Sequence, residues 1–213
     1  MNRVAVDLSD ILQDVPVVPI SDTLSQIGVE VQRRQKQGIF DEQRKAWDNS
    51  IEARCDFSKH ISMQHRAGVY FHSIWKKTPY GRTLTDIKGD PDMVGFFAEH
   101  LSSYILDVLG TADKRSWSIC TSPKRRHTVN NFATRIAYLI ADRLGITMVE
   151  DVAFARTRQR VNAVFDLGNL PETENVIVID DFVTTGSTLQ AMQNLLHEHN
   201  KNTLFFAGIN NKL

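Results

Sequence analysis

Hydrophobic residues in the second half of the chain recur at two spacings, which predict strands that alternate with amphipathic helices. The run Val176–Ile179 is continuous and β-branched, which is typical of a parallel strand buried on both faces. Further apolar runs predict strands at Trp117–Cys120, Ile146–Phe154 and Thr203–Ile209. Three segments between these runs carry apolar residues three and four positions apart and predict helices: Asp90 to Val108, Val129 to Leu144, and Leu189 to Leu196. The alternation predicts an α/β domain with a doubly wound, mostly parallel sheet flanked by helices.

The N-terminal part of the chain has a different pattern. One helix is expected to begin at Ser21, whose side chain suits an N-cap, and a second at Asp41, with Cys55 on its apolar face. The sequence therefore predicts an N-terminal helical extension and hood over residues 1–89, followed by a core domain over residues 90–213.

Two smaller features lie within or beside this extension. The aromatic run Val69–Trp75 predicts a strand, and Asp90 and Pro91 are the expected N-cap and first residue of the helix that follows. A basic cluster after the first helix is interpreted as a solvated face, with a partner or nucleic-acid contact as the alternative: Arg33, Arg34 and Lys36.

Composition narrows the class of protein. The 213 residues include 25 basic and 25 acidic side chains, so no overall field favours nucleic acid or an anionic membrane. Two cysteines far apart in sequence form neither a disulfide framework nor a zinc cluster. Residues 1–10 do not resemble a signal peptide, and no apolar run approaches a membrane span. We expect a soluble cytoplasmic protein with no membrane partner.

The candidate chemistry is concentrated between Asn175 and Thr188. The predicted strand is expected to end at two adjacent carboxylates, Asp180 and Asp181, which suit sugar hydroxyls or a hydrated Mg²⁺. A loop of small residues then precedes a helix N-terminus, whose unpaired amide groups suit a phosphate. The loop residues expected to bind it are Thr184, Thr185, Gly186, Ser187 and Thr188. The combination predicts a phosphorylated sugar as ligand.

Two other classes of phosphate or acidic site are disfavoured. The chain has no Gly-x-x-x-x-Gly-Lys-Ser/Thr motif, so a P-loop is unsupported. A receiver domain also ends a strand in two aspartates, but it needs several further βα units, and only one helix and one apolar run follow Asp181.

The segment Val176–Thr188 resembles the phosphoribosyl-diphosphate signature of the type I phosphoribosyltransferases: an apolar strand, two acidic residues, then Thr-Gly-Ser-Thr. The resemblance implies that Asp180 and Asp181 are catalytic, contact the ribose hydroxyls and lie at the Mg²⁺ site. It also implies that the loop holds the 5-phosphate of phosphoribosyl diphosphate.

Basic residues after two predicted strands are candidates for the diphosphate. The family places its pyrophosphate loop after the first core strand, which here is followed by Ser122, Lys124, Arg125 and Arg126. Arg156, Arg158 and Arg160 are a second candidate set. For both sets, a solvent-facing basic turn is the alternative.

Several motifs, taken in order, resemble the ComF family of competence-associated phosphoribosyltransferase-like proteins. They are Asp86-Ile-Lys-Gly-Asp90, Ser122-Pro-Lys-Arg-Arg126 with Asn130-Asn-Phe132, Arg156-Thr-Arg-Gln159, and Asn162-Ala-Val-Phe165. The chain lacks that family's N-terminal Cys-x-x-Cys zinc ribbon, and the segment between Arg158 and Asn162 is shorter than in the family.

The resemblance implies two classes of function. The first is a phosphoribosyltransferase that transfers phosphoribose to or from an unknown nucleobase-like acceptor. The alternative is a non-catalytic ComF-like binding or regulatory protein associated with DNA uptake or recombination, whose partner is DNA or a competence or recombination protein. A homodimer is a common arrangement among such proteins and is an option here.

Overall fold

The computed structural model of the protein describes residues 53–123, 131–155 and 164–212. The helix expected from Ser21 and most of the helix expected from Asp41 lie outside these ranges. No helix within them is long and apolar enough to cross a membrane.

A central parallel sheet organises the described part of the chain. Its strands and those of two smaller ladders are, in chain order, β1 (Arg54–Cys55), β2 (Ser62–Arg66), β3 (Val69–Lys76), β4 (Arg82–Thr83), β5 (Trp117–Thr121), β6 (Thr147–Met148), β7 (Ala153–Ala155), β8 (Phe165–Leu167), β9 (Asn175–Val183) and β10 (Asn202–Asn210). Six of them form one sheet in the order β2-β3-β10-β9-β5-β6. Neighbouring strands in it are parallel, except for the antiparallel hairpin of β2 and β3. The pairs β1–β4 and β7–β8 form separate antiparallel ladders.

The helices begin and end at residues whose chemistry suits helix ends. They are α1 (Leu84–Gly89), α2 (Asp92–Leu109), α3 (Phe132–Leu144) and α4 (Ser187–Glu198). The helix α2 begins one residue later than predicted, with Pro91 as its N-cap residue, while the Asp90 carboxylate accepts the amide of the first helical residue, Asp92, at 2.9 Å. Before α3, the Asn131 side chain accepts the Thr134 amide at 2.7 Å, and Gly145 ends that helix with a left-handed φ of 66°.

Apolar residues of β9 alternate between two cores on opposite faces of the sheet. Val176 and Val178 pack in a cluster that includes residues of α4, whereas Ile177 and Ile179 pack in a cluster with α2 and α3. All four side chains are fully buried, as expected for a strand covered on both faces. The predicted fold class is therefore confirmed as α/β, with a mostly parallel sheet flanked by helices.

Two strand boundaries differ from the sequence prediction. The strand β9 does not end at Ile179 but continues through the acidic pair to Val183, because β10 pairs with it along that whole length. The single strand expected over Ile146–Phe154 is divided into β6, which pairs with β5, and β7, which pairs with β8. Both boundaries are set by pairing between segments that are distant in sequence. The local spacing of apolar residues does not show such pairing.

The described sheet begins upstream of Asp90. The strand predicted at Val69–Trp75 is confirmed as β3, which pairs with β10. Cys55 lies in β1 and pairs with Arg82, so its assignment to the second N-terminal helix is wrong. The hood over residues 1–89 stays a prediction.

Candidate functional site

The carboxyl ends of β5 and β9 form a topological switch point. From β5 the chain passes through α3 to β6 on one side, whereas from β9 it passes through α4 to β10 on the other. In such sheets the diverging connections leave a crevice outside the strand ends, where ligands bind. A cavity of about 530 Å³ lies there, which is a typical volume for a small-molecule site.

The loop after β9 forms one wall of this cavity. Thr184, Thr185 and Gly186 line it, and Gly186 has a φ of 82°, which favours glycine. The first helical hydrogen bond of α4 runs from the Gln190 amide to the Gly186 carbonyl at 2.9 Å. The amide groups of the preceding turn have no partner within the helix and carry its positive dipole end. Four of the five predicted phosphate-binding residues therefore line the cavity, whereas Ser187 is not part of its lining.

The acidic pair forms the floor between the loop and β5. The Asp180 carboxylate accepts the Asp181 amide at 2.9 Å, and the Asp181 carboxylate accepts the Phe182 amide at 2.8 Å. Ser122 donates from its hydroxyl to the other Asp180 oxygen at 3.4 Å. Both oxygens of the Asp180 carboxylate are therefore hydrogen-bonded, and both acidic residues line the cavity.

Lys88 is a site residue for which sequence analysis gave no role. Its ammonium group lies 2.7 Å from Asp181 Oδ2 and 4.6 Å from the centre of the Phe182 ring. The short helix α1 holds Lys88 there, because Ile87 is fully buried and the Thr83 hydroxyl caps the helix. The motif Asp86-Ile-Lys-Gly-Asp90 was visible in the sequence, but nothing in it indicated a contact with Asp181.

Asp180 has the most perturbed carboxyl among the residues that the structure describes. It is half-buried at the cavity wall. Burial and the adjacent Asp181 carboxylate raise the pKa of Asp180 to about 8, whereas the Asp181 amide and the Lys88 ammonium act in the opposite direction. The Asp181 carboxylate is meanwhile paired with Lys88. A strongly perturbed carboxyl in a cleft is typical of a functional site.

A second helix N-terminus reaches the same cavity from the side of β5. Asn131, Phe132 and Ala133 line the cavity at the start of α3. Asn131 satisfies the Thr134 amide, while the amides of Phe132 and Ala133 belong to the first turn and have no partner within the helix. The cavity thus lies between two helix N-termini, each suited to an anion.

The basic residues expected near the diphosphate are not described by the structure. Ser122 and Pro123 line the cavity and lead into the segment with Lys124, Arg125 and Arg126, which lies outside the described ranges. The second basic set, Arg156, Arg158 and Arg160, lies outside them as well. Their roles stay predictions.

The acidic pair fits a magnesium ion that arrives with a phosphorylated ligand. Proteins bind Mg²⁺ through one or two carboxylates while water and substrate phosphates complete its shell. Asp180 and Asp181 would supply such hard oxygen donors at the cavity wall, and binding of the cation would displace any proton that the raised pKa retains on Asp180, because metal ligands must be deprotonated. Lys88 holds one Asp181 oxygen, so a cation and Lys88 would share that carboxylate.

Comparisons with known proteins give partial likenesses. Neither a protein-family model nor a curated protein matches the chain. It is similar to a solved adenine phosphoribosyltransferase, with 14% identity and a TM-score of 0.43 over 69% of this chain and 84% of that one. It is also similar to an orotate phosphoribosyltransferase from Aeropyrum pernix, with 14% identity and a TM-score of 0.42 over 71% of this chain and 74% of that one. A third similar structure is a hypoxanthine phosphoribosyltransferase from Staphylococcus aureus, with 16% identity and a TM-score of 0.40 over 54% of this chain and 61% of that one. These similar structures are phosphoribosyltransferases, and the narrower resemblance to ComF proteins stays a prediction.

Proposed function

We propose that the protein binds phosphoribosyl diphosphate with Mg²⁺ and transfers phosphoribose between diphosphate and a nucleobase-like acceptor, in the cytoplasm. One observation carries the proposal: an adjacent pair of carboxylates lies between two helix N-termini that line one cavity. Phosphoribosyl diphosphate has the matching order of groups, with a phosphate at one end, ribose hydroxyls in the middle and a diphosphate at the other end.

The loop after β9 is the favoured position for the 5-phosphate. Its wall offers the hydroxyl groups of Thr184, Thr185 and Thr188 together with the first-turn amides of α4. The hydroxyls of Thr185 and Ser187 lie 3.0 Å apart, so they hold one another in place at the helix start. This arrangement satisfies a phosphate through neutral donors and the helix dipole.

The acidic pair then orients the ribose. The carboxyl groups of Asp180 and Asp181 can form hydrogen bonds with the sugar hydroxyls. When transfer proceeds, the bond from the anomeric carbon to diphosphate breaks and a bond to an acceptor ring nitrogen forms, and the proton displaced from that nitrogen goes to solvent. Positive charge develops on the sugar, and the nearby Asp181 carboxylate stabilises it.

The leaving diphosphate would lie toward α3. The first-turn amides of Phe132 and Ala133 are positioned to accept its charge, and Lys124 and Arg125 are the proposed cations from the adjoining loop. Bound Mg²⁺ would neutralise charge on the diphosphate as it departs.

An aromatic wall supports a flat acceptor. The rings of Phe132 and Phe182 both line the cavity, and their planes are nearly parallel at 22° with centroids 6.5 Å apart. Leu84 adds an apolar side chain to the same lining. We expect a planar heterocycle to pack on this apolar part of the lining, next to the Lys88 ammonium that lies over the Phe182 ring.

Diphosphate release tests the transfer reaction. The purified full-length protein would be incubated with phosphoribosyl diphosphate, Mg²⁺ and each member of a nucleobase panel. We expect release with one acceptor class, and its loss in a variant that combines Asp180→Asn and Asp181→Asn. Release that persists in this double variant would contradict the site. Ligand binding without release for any base would favour the non-catalytic alternative, for which salt-dependent binding of single-stranded DNA is the further test.

A further inference from the structure

Arg66 joins the β2–β3 hairpin to the loop that follows β9. Its guanidinium donates to the carbonyl oxygens of Thr184 at 2.8 Å and Val183 at 3.3 Å. A further hydrogen bond links it to the side chain of Asn210, at the end of β10. The guanidinium carbon lies 5.7 Å from the centre of the Phe71 ring, which is fully buried. The guanidinium is therefore held by hydrogen bonds to the ends of β9 and β10 and by its contact with the Phe71 ring.

The backbone of the hairpin also touches the loop. A Cβ placed on Gly186 would lie only 3.0 Å from the Arg66 Cβ and 3.1 Å from the Arg66 carbonyl oxygen. Arg66 thus packs against the loop at the residue that precedes α4, in addition to bonding its first carbonyl groups. A side chain at position 186 would therefore meet Arg66 closely, in addition to the strain that the φ of 82° imposes on any residue other than glycine.

The turn of the hairpin that carries Arg66 contains two residues with left-handed φ values. Arg66 pairs with Val69, so the turn contains only Ala67 and Gly68, with φ values of 49° and 80°. Two left-handed residues match the type I′ turn, whose twist suits a hairpin. For Ala67 this conformation is uncommon, and such strain often persists near functional groups.

The contacts of Arg66 determine which way the loop peptides face. In a trans peptide, the N–H group points away from the preceding carbonyl oxygen. Since the carbonyls of Val183 and Thr184 both point toward Arg66, the amides of Thr184 and Thr185 point away from it. Thr184 and Thr185 line the cavity, so these amides are turned toward the side on which a phosphate would bind.

We propose that Arg66 is the positioning residue of the loop after β9: its guanidinium fixes the peptide after Thr184, and with the Asn211 amide, which donates to the Val183 carbonyl at 2.8 Å, it holds the peptide after Val183, so that the amides of both peptides are ready for the phosphate of the ligand. This inference rests on the proposed function, because it assigns that loop to the 5-phosphate. In this role Arg66 does not contact the phosphate: its hydrogen bonds orient the peptides, and its positive charge lies close to the loop that would hold the anion.

Calorimetric titration with ribose 5-phosphate tests the inference in the full chain. We expect the wild-type protein to bind, and Arg66→Met to raise Kd about tenfold, since a released peptide loses charge-assisted support. Arg66→Lys keeps the charge but not the fork of donors, so its Kd should lie between the two. Ala67→Gly is the matched control in the same hairpin, because glycine favours the existing turn, and its Kd should equal that of the wild type.

Melting temperatures of the same proteins separate positioning from simple stabilisation. A purely structural role would lower the melting temperature of Arg66→Met and leave its Kd, measured well below that temperature, unchanged; this result would overturn the inference. If Arg66→Met does not fold, Arg66→Lys decides, and a Kd equal to that of the wild type would overturn it. Failure of the wild-type protein to bind ribose 5-phosphate would instead overturn the proposed function itself.

Discussion

Replacing Asp180 by asparagine should change the pH dependence of folding in a defined direction. The folded-state pKa of Asp180 is raised from 3.8 to about 8 by burial and by the Asp181 carboxylate. Between these values the folded protein holds a proton that the unfolded chain has released. The contribution of Asp180 to the free energy of unfolding is therefore fully present below its pKa in the unfolded chain. It is lost as pH rises toward and through its pKa in the folded protein. Asparagine is close in shape to the protonated carboxyl and does not titrate.

The size of the effect follows from one proton. The free energy of unfolding of the wild type should fall relative to Asp180→Asn by about 1.4 kcal/mol per pH unit, or roughly 3 kcal/mol between about pH 5 and pH 7. Histidines that titrate in this window are common to both proteins, so they cancel in the difference. Above the folded pKa the difference should become constant.

Urea denaturation at a series of pH values measures this difference. Asp113→Asn is the matched control: Asp113 is exposed, and hydrogen bonds from Arg115 lower its pKa. The Asp113 carboxyl is ionised above about pH 5 in both the folded and the unfolded protein. The free energy of unfolding of Asp113→Asn should therefore differ from that of the wild type by the same amount at every pH above this value. A difference for Asp180→Asn that is equally flat would refute the raised pKa and the buried, charge-coupled carboxyl from which it follows.

Three further substitutions test other parts of the site. Lys88→Met removes a charge that lowers the pKa of Asp180, so a carboxyl NMR titration should place its midpoint above that of the wild type; an unchanged midpoint would contradict the Lys88 contact. Gly186→Ala should destabilise the fold by about 1 to 2 kcal/mol in urea, because alanine is strained at a left-handed φ, whereas Gly95→Ala, in open space within α2, should stabilise it by about 0.5 kcal/mol. Asn131→Ala removes the cap of α3 and should cost about 1 kcal/mol by the same assay; an unchanged value would show that the cap is dispensable.

Local patterns were sufficient for the elements that position the site. The β-branched run Val176–Ile179 gave the central strand, since alternate residues face two cores. The periodicity of Leu189, Met192 and Leu196 gave α4, where all three are buried. The order of strand, acidic pair, small-residue loop and helix is continuous in sequence, which is why the two carboxylates and the loop predicted to bind phosphate could be placed together.

The remaining parts of the site depend on contacts between distant segments. Lys88 reaches Asp181 from the short helix α1, which is distant in sequence, and Arg66 reaches Thr184 across 118 positions. Neither contact has a local signature, because a lone lysine or arginine is ordinarily a solvated surface residue. The end of β9 was misplaced for a related reason: β10 continues to pair with it beyond Ile179, and only the partner strand shows this.

Calorimetric titration of the full-length protein with phosphoribosyl diphosphate and Mg²⁺ tests the central claim most directly. We expect saturable one-to-one binding by the wild type, and its loss when Asp180→Asn and Asp181→Asn are combined. Binding should also be competed by ribose 5-phosphate, which shares the phosphate and the ribose hydroxyls. Absence of binding by the wild type, or equal affinity in the double variant, would contradict the assignment of this cavity to phosphoribosyl diphosphate.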